Sequence, residues 1–277
     1  MMIKRILTPL DPSPFTEAAL DYASFIAARQ QAEITGLAIL DIPGIEKSIG
    51  PEGVGGVYWA EKLEEHKRKE AEATIAKLLQ HFRQKCEKAG VAHSEADLQG
   101  SPSEQIIADS IYYDLITIGM RTFFHFETQQ KPGDSLEKIL DHTITPILAV
   151  PDHFIPIQKV LIAFDGSLPA GRSLQRFAHL AIARDLDVKL LMSSKNKQVA
   201  EYHLVRAAAY LRAYGIQKLS WEISQKSILD LMAQQYLDWA DLVVAGAHSK
   251  RGILDFMVGS LIKYLIDEAR KPLFIGF

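Results

Sequence analysis

The stretch from Asp241 to Ser260 combines the features by which proteins bind phosphate groups. It begins with a short apolar run, residues 242–245, which is typical of a strand buried on both faces. Gly246 ends this run, and Gly259 precedes Ser260 at the start of a helical pattern. The first amides of a helix lack partners within it and carry partial positive charge, and a glycine lets the backbone approach a phosphate closely. The order of strand, glycine-bounded loop and helix therefore predicts an anion site.

Side chains of this stretch could add to such a site. Ser260 offers a hydroxyl group, His248 and Ser249 lie in the loop, and Lys250 and Arg251 could offset negative charge. On the spacing alone, a surface loop that ends at a turn glycine is an equally good interpretation. His248 could reach a phosphate or a ribose, or it could simply face solvent. The remainder of the chain has to decide between these interpretations.

The chain contains the same pattern twice. Four blocks of the first half return in the same order in the second half, as expected for a duplicated unit. The matched blocks begin at Arg5 and Lys159, at Asp114 and Asp241, at Ser135 and Ser260, and at Pro146 and Pro272. Two prolines, Pro151 and Pro156, bracket a short linker between the halves. We therefore predict two domains, residues 1–151 and residues 156–277.

Each half alternates strands with helices, which favours an α/β fold with a doubly wound, five-stranded parallel sheet in each of two tandem domains. Ser13 and Ser227 are predicted to cap helices, and Ser101 with Glu104 is predicted to form a capping box. The predicted strands cover residues 3–10, 32–40, 95–98, 115–119 and 147–150 in the first half, and residues 160–164, 188–193, 218–223, 242–245 and 273–277 in the second.

A crevice should form where two strands of the second half end. In a doubly wound sheet, ligands bind beyond the carboxyl ends of the strands at the point where the strand order reverses. Asp165 follows the first strand of this half, and Gly246 ends the fourth. If these strands are neighbours, a nucleotide could place its phosphates on the loop amides and a ribose hydroxyl or base amine on Asp165. The alternative for Asp165 is an ordinary helix-capping residue.

The second half resembles the universal stress protein family, whose ATP-binding members carry Gly-x-x-Gly, nine residues and then Gly-Ser/Thr. This chain has Gly246-Ala-His-Ser249, nine residues and then Gly259-Ser260, with a serine in place of the second glycine. The resemblance implies bound ATP, ADP or AMP, with Mg²⁺ an open possibility at the phosphates. It also implies that Asp165 contacts the adenosine and that the adenine meets backbone near Ser193 and Ser194.

The resemblance extends over both halves and implies a tandem universal stress protein. It implies a Rossmann-like, adenine-nucleotide alpha hydrolase-like fold with strand order 3-2-1-4-5 in each half. The last strands, residues 147–150 and 273–277, should pair antiparallel within the chain, and a homodimer is left open. The family implies a regulatory or interaction protein of the stress response. The alternatives are a slow ATPase or nucleotide-transferring enzyme, and an interaction module that binds no ligand.

The first half departs from the family's motif. Thr122 stands at the second glycine, eleven residues follow it, and Asp134 stands where the glycine before Ser135 should be. A carboxylate at that place would repel a phosphate. Aromatic residues Phe123, Phe124 and Phe126 should crowd the loop further. We expect this half to bind ATP weakly or not at all, although Asp11 and Ser135 persist.

Composition excludes several other classes of function. A formal charge of −3 gives no basic surplus, which argues against nucleic acid as a partner. No apolar run approaches the roughly 18 residues needed to cross a membrane, and no leader-type segment follows the first basic residues, so a cytoplasmic protein is expected. Cys86 is the only cysteine, and the nine histidines lack metal-ligand spacing. No metal site and no catalytic residues are predicted.

Overall fold

The computed structural model describes residues 3–49, 57–124, 135–180, 185–247 and 259–277. Ten strands form one sheet in the order β3-β2-β1-β4-β5-β10-β9-β6-β7-β8. The strands are β1 (Arg5–Pro9), β2 (Glu33–Leu40), β3 (Ala92–Gln99), β4 (Leu115–Gly119), β5 (Ile147–Val150), β6 (Lys159–Ala163), β7 (Asp187–Ser193), β8 (Leu219–Ser224), β9 (Leu242–Gly246) and β10 (Leu273–Gly276). Each half therefore has the expected order 3-2-1-4-5, and the predicted α/β fold is confirmed.

Helices separate the strands and cover both faces of the sheet. They are α1 (Pro14–Gln30), α2 (Ile42–Ile49), α3 (Val57–Ala89), α4 (Pro102–Ser110), α5 (Ser135–His142), α6 (Leu168–His179), α7 (Lys197–Ala213), α8 (Ile228–Leu231), α9 (Leu237–Trp239) and α10 (Ser260–Glu268), with a π-helical turn, Met232–Tyr236, between α8 and α9. None of the helices in the described ranges is long and apolar enough to cross a membrane.

The two halves join through their last strands. β5 and β10 pair antiparallel, with Ala149 opposite Leu273 and Ile147 opposite Ile275. All other strand pairs of the sheet are parallel, including the neighbours β1 and β4 and the neighbours β6 and β9. The pairing of the last strands within one chain is as predicted. The central strands are buried on both faces, which explains their continuous apolar runs.

Strand β3 is longer than the sequence predicts. The prediction covered residues 95–98, whereas the strand spans Ala92–Gln99. This strand lies at an edge of the sheet, and no residue in it is fully buried. Polar and charged side chains are a usual protection for an edge strand, and they remove the apolar pattern that would identify it.

The three serines predicted as helix caps all occupy N-cap positions, but only one of them makes the capping hydrogen bond. Ser13 and Ser101 occupy N-cap positions, but neither side chain accepts a capping hydrogen bond. The Ser13 hydroxyl is directed towards Asp11 and donates to its carboxylate. Ser227 does cap its helix, because its Oγ accepts from the amide of Asp230 at 3.4 Å.

The first half is longer than the second between its second and third strands. This part contains α2, which sequence reasoning missed, and the 33-residue helix α3, whose counterpart α7 has 17 residues. The side chains of α3 that face the core begin at Ala71 and continue with Ile75, Phe82 and Cys86. Earlier in the helix, Tyr58 and Trp59 are 60% and 73% exposed. The first turns of α3 therefore extend past the core.

The linker between the halves packs on helix α1. The ring of Phe154 lies 4.7 Å from that of Tyr22 and 5.8 Å from that of Phe25. The buried Tyr22 hydroxyl accepts from the amide of Ile155 at 2.8 Å and lies 3.3 Å from its carbonyl oxygen. The linker is thus held by both aromatic packing and hydrogen bonds before it enters β6.

Replacing Tyr22 with Phe should weaken the folded state. The change removes the hydroxyl and leaves the Ile155 amide without its partner, which should lower the free energy of unfolding by about 1–2 kcal/mol. Urea denaturation measures this difference. Tyr112→Phe, at a side chain 65% exposed, is the matched control and should leave the midpoint unchanged. Equal effects of the two substitutions would contradict a role for the Tyr22 hydroxyl.

Candidate functional site

The ends of β6 and β9 come together as the sequence predicts. The two strands are neighbours, with Ile162 opposite Val244, so the residues that follow them lie at one edge of the sheet. Asp165 and Gly246 both line a cavity of about 280 Å³ at this edge. Its volume is close to the lower end of the roughly 300–1,000 Å³ range of small-molecule pockets.

Helix α10 begins at the same cavity. Gly259 is its N-cap residue and Ser260 its first residue, and both line the cavity wall. The first amides of the helix therefore lie beside the space that Asp165 and Gly246 border. A helix N-terminus of this kind attracts anions through its unpaired amides and its dipole. Four of the seven predicted site residues are thus brought together.

The other three predicted residues have different positions. His248 and Ser249 lie outside the described residues. Ser194 is absent from the described cavity wall, whereas its neighbour Ser193 lines it. The Ser194 amide donates to the Ser224 carbonyl oxygen at 2.8 Å, and its Oγ accepts from the Asn196 amide at 3.1 Å. A base that met the Ser194 amide would compete with the first of these bonds.

Apolar side chains form the part of the cavity that sequence reasoning missed. Leu191 comes from β7, Ile228 from the start of α8, and Ile262 from α10. Phe164, directly before Asp165, also lines the cavity. The cavity is therefore lined by apolar residues as well as by a helix N-terminus. In the sequence, only the predicted cap at Ser227 indicated that Ile228 lies at the start of a helix. The other apolar residues of the cavity resemble ordinary core residues in sequence.

Asp165 is exposed and initiates the turn before α6. Its Oδ1 accepts from the Ser167 amide at 2.9 Å. The capping bond of α6 is made by Ser167, whose Oγ accepts from the Ala170 amide at 3.3 Å. Asp165 is therefore not the residue that caps the helix, and its exposed carboxylate borders the cavity.

The two glycines of the motif differ in whether the fold itself requires a glycine at their position. A Cβ atom at Gly246 would lie 2.4 Å from the Ala170 nitrogen and 2.6 Å from the Pro169 carbonyl carbon. The close approach of α6 thus accounts for Gly246 without any ligand. Gly259 has φ −60° and ψ 150°, which any residue can adopt. Nothing in its backbone conformation therefore requires a glycine.

In the first half, the carboxylate that corresponds to that of Asp165 is buried and accepts hydrogen bonds from its own chain. Asp11 is only 3% exposed. Its Oδ1 accepts from the Ser13 amide at 3.1 Å and from Thr16 Oγ1 at 2.7 Å, and its Oδ2 accepts from the Phe123 amide. Phe124, expected to crowd a loop, is instead buried in the core. Asp134 and Phe126 lie outside the described residues. The segment after β4 therefore folds onto the carboxylate that faces the crevice in the other half.

The sequence model of the universal stress protein family matches residues 2–151 of this chain, which is more than half of its length. The chain belongs to the universal stress protein family. The match covers the half whose glycine motif departs from the family pattern. A universal stress protein of Synechocystis is 27% identical over 286 aligned positions, which cover 98% of each protein.

Solved structures show the same fold over the whole chain. A universal stress protein from Archaeoglobus fulgidus superposes with a TM-score of 0.72 at 18% identity, covering 98% of this chain and 97% of that one. A putative universal stress protein from Pseudomonas aeruginosa gives a TM-score of 0.58 at 18% identity, covering 99% and 93%. At this level of identity, the likeness concerns the fold alone.

Gly246→Ala should destabilise this universal stress protein. The added methyl group would clash with the backbone of α6, at a cost of about 1–3 kcal/mol. Gly171→Ala is the matched control, because no atom lies within 4 Å of a Cβ at that helical glycine. It should be neutral or stabilising by up to about 1 kcal/mol. Chemical denaturation of the two variants tests the contrast, and a stable Gly246→Ala variant would show that α6 does not constrain this position.

Asp11→Asn and Asp165→Asn should differ in their effect on folding. Asp11→Asn weakens several hydrogen bonds to a buried carboxylate and should cost about 2–4 kcal/mol, since bonds to charged groups contribute about 1.5–3 kcal/mol each. Asp165→Asn changes an exposed side chain and should stay within about 0.5 kcal/mol of the wild type. Thermal and urea unfolding measure both. Similar stabilities of the two variants would refute the asymmetry between the halves.

Proposed function

We propose that this universal stress protein binds ATP or a related adenine nucleotide in its second half, and that it acts in the cytoplasm as a nucleotide-dependent regulatory or interaction protein of the stress response. The observation that carries the proposal is the cavity itself. It has an apolar wall, an exposed carboxylate at Asp165 and the N-terminus of α10 at Gly259 and Ser260. These are the three kinds of surface that a base, a ribose and a phosphate chain require.

Each part of the nucleotide has a matching group. The base packs against Leu191 and Ile228, where an apolar surface removes it from water. The Asp165 carboxylate accepts a hydrogen bond from a ribose hydroxyl or a base amine. The phosphates lie at the first amides of α10 and the Ser260 hydroxyl, together with the loop that contains His248 and Ser249. A bound phosphate is stabilised there by the helix dipole as well as by direct hydrogen bonds.

Any Mg²⁺ in this site is held mainly by the phosphates. Within the described residues, no group of three or more His, Cys, Asp or Glu side chains could bind a metal ion. Mg²⁺ commonly binds through substrate phosphates and one or two carboxylates, with water completing its shell. Asp165 is the carboxylate of the described cavity wall that could serve as such a ligand.

The first half is not expected to bind a second nucleotide. Its Asp11 carboxylate accepts hydrogen bonds from the Ser13 and Phe123 amides and from Thr16. A ribose would have to displace these bonds and bury its own polar groups in their place, which costs free energy. We therefore expect one nucleotide per chain.

Gly259→Asp should abolish nucleotide binding without unfolding the protein. Asp is a favourable N-cap residue and the backbone at 259 accepts any side chain, so the fold should persist. A carboxylate about 4 Å from a phosphate is repelled by roughly 4 kcal/mol at an effective dielectric constant near 20, so the affinity should fall by at least tenfold. Isothermal titration of the whole chain with ATP, with and without Mg²⁺, measures the affinity and the stoichiometry.

Gly259→Asn is the matched control. It has nearly the same size and caps helices equally well, but it carries no charge. It should weaken binding less than Gly259→Asp. Equal affinity of the wild type and Gly259→Asp for ATP would rule out the α10 N-terminus as the phosphate site.

Phosphate release measured on the same samples distinguishes binding alone from slow ATP hydrolysis. Steady turnover that is lost in Ser260→Ala would favour an enzyme.

A further inference from the structure

The described sheet ends on one side at strand β8 (Leu219–Ser224), whose only strand neighbour there is β7. Alternate residues of β8 bond to β7, and the Ser194 amide donates to the Ser224 carbonyl oxygen at 2.8 Å. Successive residues of a strand direct their backbone groups to opposite sides. Trp221 and Ile223, at odd distances from Ser224, therefore direct their amides and carbonyl groups away from β7, towards the open side of the sheet.

The edge at β8 lacks the protection of the edge at β3. Folded proteins usually place charged side chains on an edge strand, because its free backbone groups invite pairing with another strand. On β3, Glu95 pairs with Arg83 of α3 at 2.8 Å, and Asp97 adds a second charge. The one charged residue of β8 is Glu222, which accepts a hydrogen bond from the Tyr236 hydroxyl. Its charge is thus held on one face of the strand and does not protect the edge.

The other face of β8 is apolar and lies under helix α7. Leu219 and Ile223 pack against the core cluster that contains the inner side chains of α7. Trp221, between them on the same face, is 39% exposed. Its ring lies 5.9 Å from the guanidinium carbon of Arg212 on α7. The apolar face of the edge strand therefore continues into one flank of this helix.

The flank of α7 beside β8 carries residues of opposite charge at its two ends. Glu201, Val205 and Arg212 form one stripe, since spacings of four and seven residues place side chains on the same face of a helix. Val205, in the middle of the stripe, is 48% exposed. The contact of Arg212 with Trp221 shows that this stripe faces the sheet edge, while another side of α7 contacts α6. The stripe thus has an acidic end, an apolar middle and a basic end.

A second copy of the chain matches the edge of β8. If two β8 strands pair antiparallel about a two-fold axis at Trp221, the two Trp221 residues lie opposite each other and Leu219 lies opposite Ile223 of the other copy. All three pairs lie on the apolar face, and the backbone groups that point outward become paired. Cross-strand pairs of aromatic and β-branched side chains stabilise antiparallel sheets.

The same axis brings the two α7 helices together at a normal packing distance. α7 lies over both β7 and β8. Neighbouring strands are about 4.8 Å apart, so helices on the two sides of a β8 pair would lie about 10 Å apart, close to the 8–10 Å of packed helices. The helices run antiparallel, so Glu201 of each copy faces Arg212 of the other. Such self-complementarity is what a two-fold interface requires.

We propose that the protein forms a homodimer in which β8 and α7 pair with β8 and α7 of a second copy. The two ten-stranded sheets then join into one continuous sheet. A second copy fits this surface better than an unrelated strand, because the charges of Glu201 and Arg212 complement each other in an antiparallel copy. The chain already joins its own halves by antiparallel pairing of β5 with β10, and the dimer extends the sheet in the same way.

Sedimentation velocity of the whole protein over a series of concentrations measures the association. We expect a species of twice the chain mass of 30.9 kDa. Trp221→Lys places two positive charges opposite each other at the two-fold axis and should raise the dissociation constant at least tenfold. Trp59→Lys is the matched control, because it makes the same change at a tryptophan of α3 that is 73% exposed. It should dimerise like the wild type, and thermal unfolding confirms that both variants are folded.

Charge reversal tests the pairing of the two α7 helices. Glu201→Arg and Arg212→Glu each bring like charges together at both ends of the helix pair, so each should raise the dissociation constant about tenfold. The double variant restores opposite charges with reversed polarity and should recover most of the wild-type association. A substitution that only destabilised the monomer would not be rescued by the second one.

Three results would overturn the proposal. The first is a monomer at every concentration tested, which would leave the β8 edge closed or available to a different protein. The second is a dimer that persists in Trp221→Lys or dissociates in Trp59→Lys, since the interface would then lie elsewhere. The third is a double charge-reversal variant that associates no better than the single ones, because the helices would then not face each other antiparallel.

Discussion

The antiparallel pairing of β5 with β10 is the constraint on which the rest of the structure depends. Each half alone would end its sheet in a short strand that is apolar on both faces, Ile147–Val150 or Leu273–Gly276. An edge of this kind leaves backbone groups unpaired and invites association with other chains. Pairing the two strands satisfies both edges at once and produces one ten-stranded sheet whose outer strands are β3 and β8. The pairing also places the two halves in opposite directions, which puts α6 over the amino ends of the first half.

The two copies of the fold use the same carboxylate in different ways. In the second half, Asp165 is exposed beside a cavity. In the first half, Asp11 is an interior residue with hydrogen bonds on both oxygens. These internal hydrogen bonds make Asp11 a residue that stabilises the fold of the first half.

Much of this arrangement could be predicted from the sequence, because it depends on local patterns. Apolar runs located the buried strands, and the repeated blocks indicated two similar halves. The meeting of Asp165 with Gly246 followed from the strand order that the family resemblance implies. One prediction, a side-chain capping bond at Ser13, failed. Ser13 has the sequence of a helix cap, but a buried carboxylate two residues away accepts its hydroxyl.

Other features depend on contacts that no short pattern records. The clash that requires a glycine at 246 arises from helix α6, about 75 residues earlier in the chain. Leu191 and Ile228 form the apolar wall of the cavity, yet in sequence they resemble any core residue of a strand or a helix start. Sequence reasoning named Asp165, two glycines and Ser260 of the cavity wall, and it missed the apolar residues for this reason.

The length of α3 has a consequence for local stability. At about 1.5 Å per residue the helix is about 50 Å long, roughly twice the length of the eight-residue strand β3 beside it. Its first three turns lack core packing and are supported by surface pairs such as Glu65–Lys69, each of which contributes only about 0.2–0.5 kcal/mol. The same helix is anchored from Ala71 onward by buried side chains. Its amides therefore differ widely in protection from hydrogen exchange, and the outer turns can unwind while the sheet beneath them remains intact.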